Sequence, residues 1–552
     1  MKKRKSLALA ILLSLIIALA PITAFAAQLN DPFASARVIT LTPEARDIAL
    51  YDFDYLVSIV LETVPTQNII YRRLGVTAAD FFAAHRQTIY DMTPMPSILY
   101  LMDPERWTDA PEDDLSIAAD YLYSILFFIQ RELGNLGHLG PVQGAILEPT
   151  FFSAAYVLYH GINVTEEEWA EIEAQGGDRA EFERFIHANI INTQLRYELY
   201  NTPAVLQFYG IDPLEFDFYV DQVEFIGNLN PDNIITNIIE PGRIAYFRIV
   251  SFFNNVPLDA ETLFPFYEEI QDFEHLIIDL RSNTGGWSHS FPTNVMAMLM
   301  SENSTFNHYE FHMANERTAD FFEYPLSFVG GALYGVFPIE ELVADRNMYQ
   351  FNPDDLALLD YASVWTTELV PAQDNIPFEG KIWILVNRST ASASEMAVSA
   401  AAASGFATIV GTPTAGVTGV VFTYVPLPNT GIMFRTDIAY TTDQYGRSFE
   451  EFGIIPHIPN AYGMNALETV LAVINGEELP VAPPPVEEVE FVSLRLLAYS
   501  LGYNVAWDGE NNQVLVTDSD GNVTIVVVSV NGTFNDDGTV FVSVQYAEEI
   551  FG

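Results

Sequence analysis

The chain has 552 residues, 49% of them hydrophobic, which is enough to bury about two or three separate cores, so we expect a globular protein. It contains no cysteine, and disulfides, thiolate metal sites and a cysteine nucleophile are therefore excluded. The formal net charge of −49 repels nucleic acid, and we expect no nucleic-acid partner.

The N-terminus has the pattern of a secretion signal. The basic stretch "MKKRK" precedes the apolar run "SLALAILLSLIIALA", and "AFA" at 24–26 is typical of a cleavage site with small residues. We predict a signal peptide over residues 1–26 and a protein that is secreted or held on the extracellular surface of a Gram-positive type of cell. An uncleaved membrane anchor is the alternative, because the apolar run is near the short end for spanning a bilayer.

Helical patterns dominate the next part of the chain, and we predict a helical N-terminal domain over residues 28–225. Thr42, followed by Pro43, and Thr77, with Asp80 three residues later, are typical helix starts. The last predicted helices of this domain lie in "TEEEWAEIEAQGGDRAEFERFIHANIINTQLRYELY".

Residues 230–475 change to short apolar strands that alternate with helices. The predicted strands are "RIAYFRIVSF", "HLIIDLRS", "KIWILVN" and "ATIVGTP", and the predicted helices are "DAETLFPFYEEIQDF", "SFPTNVMAMLMS" and "SEMAVSAAAASG". This alternation predicts an α/β layer with parallel strands. A proline-rich acidic linker follows over 476–488, and then a small α+β module over 489–552, with one short helix and strands separated by Asp-Gly and Asn-Gly turns.

Two strand ends carry residues suited to acyl-transfer chemistry. Ser392 and Ser394 stand at a strand-to-helix turn, "STASASEMAVSAAA", where the following helix directs N–H groups towards any negatively charged oxygen. Gly285 and Gly286 follow another strand, and paired glycines allow bare amides to face a ligand. Together these stretches predict a nucleophile and an oxyanion site at neighbouring strand ends.

The same region resembles the tail-specific, or C-terminal processing, serine peptidases, including their tricorn-core branch. The resemblance rests on "IIDLRSNTGG", "ILVNRSTASASEMAVSAAAASGFATIVGTPTAG" and "EEFGIIPHI". It implies an interleaved α/β peptidase core of the ClpP/crotonase type, with Ser392 as the nucleophile and Ser394 and Glu395 in support. It also implies an oxyanion hole formed by the Ala393 amide and the Gly285–Gly286 turn.

The sequence differs from the processing peptidases at the position of the general base. Val417 stands where the processing peptidases have a lysine, and Lys381, the one lysine after the signal, begins a strand roughly 20 Å from the serine turn. A histidine is therefore required, because a serine hydroxyl is a poor nucleophile without a base. The resemblance favours His138 in "LGNLGHLG"; His289, after "GGWS", is the alternative.

Further residues and modules complete the prediction. Glu450 matches the family's glutamate and is expected to orient the imidazole, with Glu451 as the neighbouring alternative, while His457 is expected to be structural. Only about 25 residues separate the helical region from the core, which is too few for a PDZ module.

The terminal module resembles the copper amine oxidase N-terminal-like domain through "FVSLRLLAYSLGYNVAWDG". It has no histidine, cysteine or methionine from 489 onward, so we expect no copper and predict contact with the cell wall or a surface protein.

These features predict a secreted serine endopeptidase that acts on polypeptides with no metal or other cofactor. The alternative is a catalytically inactive cell-surface protein whose cleft binds peptide or glycan.

Overall fold

The structure is a computed structural model. It describes residues 37–142, 202–210, 230–315, 337–481 and six strands between 491 and 543, apart from 105, 108, 135, 231, 254–255, 347 and 419–421. The predicted signal peptide, the predicted helices between 165 and 200, and the predicted short helix of the terminal module lie outside the described residues. No helix in the described ranges is long and apolar enough to cross a membrane.

The N-terminal part is helical, as its sequence predicts. Thr42 caps the first helix, because its side chain accepts a 3.0 Å hydrogen bond from the Ala45 N–H. Thr77 caps another helix by accepting a 3.1 Å hydrogen bond from the Asp80 N–H. Buried faces of these helices form one apolar core that includes Phe53 and Tyr121. The described helices in this part are Pro43–Thr63, Gln67–Leu74, Ala78–Tyr90, Ile98–Met102, Asp114–Leu133 and Pro203–Tyr209, and a two-stranded sheet pairs Val38–Ile39 with Met95–Pro96.

A six-stranded sheet forms the centre of the α/β region. Five of its strands are parallel and one edge strand, Ile234–Glu240, is antiparallel to its neighbour. In spatial order the strands are Ile458–Pro459, Thr408–Gly411, Lys381–Val386, His275–Asp279, Ile244–Ile249 and Ile234–Glu240. All four predicted strands are confirmed, because each is a short apolar run buried between layers.

Helices pack against this sheet. The helices are Val256–Ile270, Ala393–Ala403 and Ala466–Ile474, and the predicted helix after the glycine pair is a π-helical turn, Pro292–Met296, that continues into Ala297–Leu299. Shorter helices are Ile339–Arg346, Pro353–Leu356 and Phe449–Phe452. The α/β fold class is confirmed.

The two neighbouring strands Lys381–Val386 and His275–Asp279 end at the same edge of the sheet. Leu385 pairs with Asp279 in parallel register, and beyond the strands the Ala391 N–H donates to the Asn283 carbonyl at 3.1 Å. The serine turn and the glycine pair therefore lie side by side, as predicted from the carboxyl ends of adjacent parallel strands.

Two further sheets contain strands from the α/β region. One contains Gly140–Pro141, Phe422–Pro426 and Met433–Asp437, and the other contains Ser304–His312, Phe337–Pro338, Tyr361–Leu369 and Tyr440–Thr442. In the first, Arg435 pairs with Gly140, so a strand of the α/β region binds the end of the helical region. Asp52 adds a second connection, because its buried carboxylate accepts from the N–H groups of Asn429 and Thr430.

The terminal module consists of two three-stranded antiparallel sheets in its described strands. One sheet contains Phe491–Ser493, Gly532–Phe534 and Val540–Ser543, and the other contains Asn504–Asp508, Gln513–Thr517 and Val523–Val527. The predicted succession of strands is confirmed for this part of the chain.

Candidate active site

Ser392 occupies a strained turn between the strand Lys381–Val386 and the helix Ala393–Ala403. Its backbone has φ 56° and ψ −127°, a conformation that costs a residue with a side chain about 1–3 kcal/mol. Thr390 holds the turn, because its Oγ1 donates to the Leu280 carbonyl at 2.9 Å. A strained strand-to-helix turn presents the Ser392 Oγ at the edge of the sheet, where a nucleophile is required.

Gly285 fits against this turn only because it has no side chain. A Cβ atom on Gly285 would lie 2.8 Å from the Ala393 nitrogen and 2.9 Å from the Ser392 Cβ. The backbone of Gly285, at φ 96°, is also in the region that favours glycine. The glycine pair therefore allows its loop to touch the Ser392 turn directly.

The amides available to an oxyanion are those of Gly286 and Ala393. Neither N–H has a hydrogen-bond partner in the part of the chain that the structure describes. The N–H of Gly285, expected to be a third donor, instead donates to the Asn283 Oδ1 at 2.9 Å. This corrects its expected role: Gly285 makes close packing possible, and Gly286 offers the free amide.

Asn283 organises the loop from a fully buried position. Its Oδ1 also accepts from the Ser394 Oγ at 2.7 Å, and its Nδ2 donates to the Ile249 carbonyl at 3.1 Å. This role of Asn283 was not predicted, although Asn283 stands two residues before the glycine pair.

Glu395 links the serine turn to the loop that follows the strand Thr408–Gly411. Its buried carboxylate accepts from the Thr414 Oγ1 at 2.5 Å, from the N–H groups of Gly416 and Val417 at 2.8 and 2.7 Å, and from the Ser392 N–H at 3.2 Å. Burial raises the pKa of Glu395 to about 7, and these hydrogen bonds oppose the rise. These bonds hold the Ser392 turn against the loop 414–417.

His138 is buried and bound to Asp437. Its main-chain N–H donates to the Asp437 Oδ2 at 2.8 Å, and its Nδ1 lies 3.0 Å from the Asp437 Oδ1. A carboxylate accepts only, so the Nδ1 is the donor in this contact and carries a proton. A contact of this kind orients the histidine in serine hydrolases.

The turn that carries His138 is connected to the turn that carries Ser392. The Gly137 N–H donates to the Gly416 carbonyl at 3.3 Å, and the Gly416 N–H donates to Glu395, which accepts from the Ser392 N–H. The Ser392 Oγ makes no hydrogen bond to any histidine among the described residues. The two turns are therefore joined through the loop 414–417.

Glu450 does not contact the imidazole, which corrects its expected role. Its buried carboxylate accepts from the Thr441 N–H at 3.1 Å, from the Thr441 hydroxyl, and from the Ser448 Oγ at 3.1 Å. Burial, and to a lesser degree the charge of Asp437, raise the pKa of Glu450 to about 8. The alternative, Glu451, forms an ion pair with Arg72 at 2.6 Å.

The other basic candidates lie apart from the serine turn or have different partners. His289 is exposed, and its ring lies 6.4 Å from that of Trp287. The Nδ1 of His457 accepts from the Ile409 N–H at 3.0 Å, in agreement with a structural role. Lys381 lies at the start of the strand Lys381–Val386, whose other end leads to the Ser392 turn, and its Nζ is 4.0 Å from the centre of the Trp383 ring. No group of three metal-ligating side chains occurs in the described ranges.

A strained serine beside free amides, on the edge of a parallel sheet, is an arrangement typical of α/β serine hydrolases. Residues 243–460 match the model of peptidase family S41. Residues 473–552 match the model of the copper amine oxidase N-terminal domain. Both resemblances identified in the sequence are confirmed.

Solved structures with related folds include peptidases. Mature CPAF in complex with lactacystin is 14% identical, with coverage of 78% of this chain and 100% of CPAF and a TM-score of 0.41. The photosystem II D1 C-terminal processing protease is 18% identical, and the match covers 45% of this chain and 54% of that protease, with a TM-score of 0.28. The tricorn protease is 15% identical, and the match covers 43% of this chain and 17% of the tricorn protease, with a TM-score of 0.21. No curated protein matches the chain.

Proposed function

We propose that the protein is a secreted serine endopeptidase in which Ser392 is the nucleophile and His138 the general base. The observation that carries the proposal is the strained Ser392 backbone, packed against Gly285 and flanked by the free amides of Gly286 and Ala393. Backbone strain of this kind persists where the surrounding structure maintains it, and it is concentrated at active sites. A serine that served only to begin a helix would have no need of it.

The proposed reaction proceeds in two steps. The Ser392 Oγ attacks the peptide carbonyl carbon while the Nε2 of His138 takes the hydroxyl proton, and the C–N bond then breaks as that proton passes to the leaving amine. Water, deprotonated by the same nitrogen, hydrolyses the acyl ester and restores the serine. The amides of Gly286 and Ala393 donate to the negatively charged oxygen in both steps, and one such donor contributes roughly 10²- to 10³-fold in turnover.

Substrate binding is required to complete the site. No hydrogen bond joins the Ser392 Oγ to the described histidines, and such bonds are often long in unliganded enzymes and shorten in the complex with substrate. The hydrogen-bonded loop 414–417 connects the two turns and so limits how far they have to move. Membership of the tricorn-core branch of these peptidases remains a prediction and forms part of this proposal.

Labelling with a fluorophosphonate probe tests the proposal. The full-length protein should be tagged, Ser392→Ala should abolish tagging, and Ser404→Ala, at the other end of the same helix, should not. Folded protein that is never tagged and does not cleave casein would contradict the proposal and would favour the alternative, an inactive binder of peptide or glycan.

The choice of base is tested by a pair of histidine variants. His138→Ala should remove casein cleavage, whereas His289→Ala should leave it nearly unchanged, because His289 is exposed and has no hydrogen-bonded partner for its ring in the described ranges. The opposite result would assign the base to His289.

Secretion and surface contact form the remaining part of the proposal. The pattern of residues 1–26 supports export, and the terminal module supports attachment to a cell wall or a surface protein. Expression in a Gram-positive host should yield extracellular protein whose N-terminus follows residue 26. Protein retained in the cytoplasm would contradict this part without affecting the peptidase assignment.

A further inference from the structure

We infer that Asp437, rather than Glu450, is the residue that orients the His138 imidazole, an inference that rests on the proposed peptidase function. Asp437 is a positioning residue in this scheme, because it acts on the reaction through the histidine. Its place is the end of the strand Met433–Asp437.

The contacts of Asp437 fix both the main chain and the ring of His138. One carboxylate oxygen accepts from the His138 N–H at 2.8 Å, and the other lies 3.0 Å from the Nδ1. Two bonds from one rigid group to one residue define the direction of the ring as well as its tautomer. Both residues are more than nine-tenths buried, so water competes little for these bonds.

The strand that ends at Asp437 also binds the turn that carries His138 through a second residue. Arg435 donates from its Nε to the His138 carbonyl at 3.2 Å, and its backbone pairs with Gly140. Asp437 and Arg435 therefore bind the N–H and the C=O of the same residue from one strand. This arrangement makes the position of His138 depend on the strand rather than on the helical region alone.

Gly137 is required for this contact. A Cβ atom on Gly137 would lie 2.1 Å from the Asp437 Oδ2, and its φ of 63° is in the left-handed region. A side chain there would push the carboxylate away from the histidine. The glycine before His138 is thus explained by the approach of Asp437.

Glu450 has other hydrogen-bond partners. Its hydrogen bonds go to Thr441 and Ser448, and none reaches the imidazole. With a pKa of about 8 it is largely protonated at pH 7, so it adds little charge opposite an imidazolium. Asp437 is then the carboxylate that stabilises the positive ring formed during the reaction.

The test compares Asp437→Asn with Glu450→Gln in the full-length protein. Asp437→Asn offers an amide to the Nδ1 and favours the wrong tautomer, so kcat should fall about 10³- to 10⁴-fold with little change in KM. Asp437→Glu should recover part of this loss. Glu450→Gln resembles the protonated acid and should retain kcat within about threefold at pH 7.

A readout independent of turnover separates the inference from the proposed function. In protein labelled with ¹⁵N-histidine, the hydrogen-bonded Nδ1 proton of His138, identified by its loss in His138→Gln, should vanish in Asp437→Asn and persist in Glu450→Gln. The reverse pattern would overturn the inference, and so would an Asp437→Asn protein with full kcat. Failure of the wild-type protein to react with fluorophosphonate, with the proton signal intact, would contradict only the peptidase function.

Discussion

The carboxylate of Glu395 accepts a hydrogen bond from the Val417 N–H at 2.7 Å. Val417 stands where the processing peptidases that this chain resembles have a lysine, so the loop that would deliver a base instead contributes its backbone. Through Gly416 the same loop reaches the turn of His138. The loop therefore joins the Ser392 turn to the His138 turn.

Glu395→Gln should weaken this support. The carboxylate accepts four hydrogen bonds, and the glutamine side chain would place its NH₂ group against N–H donors that need an acceptor. We expect at least about a tenfold loss of kcat and a lower Tm, because unpaired buried groups cost free energy. Steady-state kinetics and thermal unfolding of the variant measure both effects, and unchanged kcat would show that the loop does not transmit position.

Gly137→Ala should impair catalysis by displacing Asp437. The added methyl group would meet the Asp437 Oδ2, and the left-handed backbone would add roughly 1–2 kcal/mol of strain. We expect at least about a hundredfold loss of kcat.

Gly75→Ala provides the matched control for that variant. Gly75 has a similar φ of 72° but nothing within 4 Å of an added Cβ, so this variant bears the strain without the clash. It should lose about 1 kcal/mol of stability and keep its turnover. Equal loss of kcat in both variants would assign the effect to strain in the helical region instead of Asp437.

Asn283→Ala should damage the oxyanion loop. It leaves the Gly285 N–H, the Ser394 hydroxyl and the Ile249 carbonyl without their partner, and we expect a loss of about 3 kcal/mol in the free energy of unfolding. The kcat should fall roughly 10²-fold as the Gly286 amide loses its position. Chemical denaturation and kinetics test this, with Asn283→Asp, which retains the acceptor oxygen, expected to lose less kcat.

Glu450→Gln should change how stability depends on pH. Burial raises the pKa of Glu450 from 4.5 to about 8, so the folded state holds this proton more tightly than the unfolded chain does. The resulting stabilisation is fully present below pH 4.5 and is lost as the pH rises through about 8, at up to roughly 1.4 kcal/mol per pH unit.

The measurement is the Tm of wild type and variant between pH 5 and 9. Relative to the variant, the wild-type protein should lose stability as the pH rises towards about 8, and the difference should then level off. The exposed Glu340→Gln should follow the wild type. Parallel curves for wild type and Glu450→Gln would show that Glu450 is not held protonated by the fold.

Much of the central fold could be predicted because its signals are local. Apolar runs identify the buried parallel strands, and the glycine pair and the small-residue turn mark the two strand ends that meet. Asp437 could not be found in this way, since its contact with His138 depends on a short antiparallel pairing between distant segments, Arg435 with Gly140 and Phe434 with Pro141. The hydrogen bond from the Gly285 N–H to the Asn283 Oδ1 likewise depends on the geometry of the loop, which the sequence does not reveal.

The pairing of Arg435 with Gly140 has a consequence for the order in which the molecule can assemble. A ribosome makes His138 and Gly140 early and residues 433–437 much later, so an incomplete nascent polypeptide cannot form this pairing. The end of the helical region therefore gains this partner only after most of the chain has been synthesised.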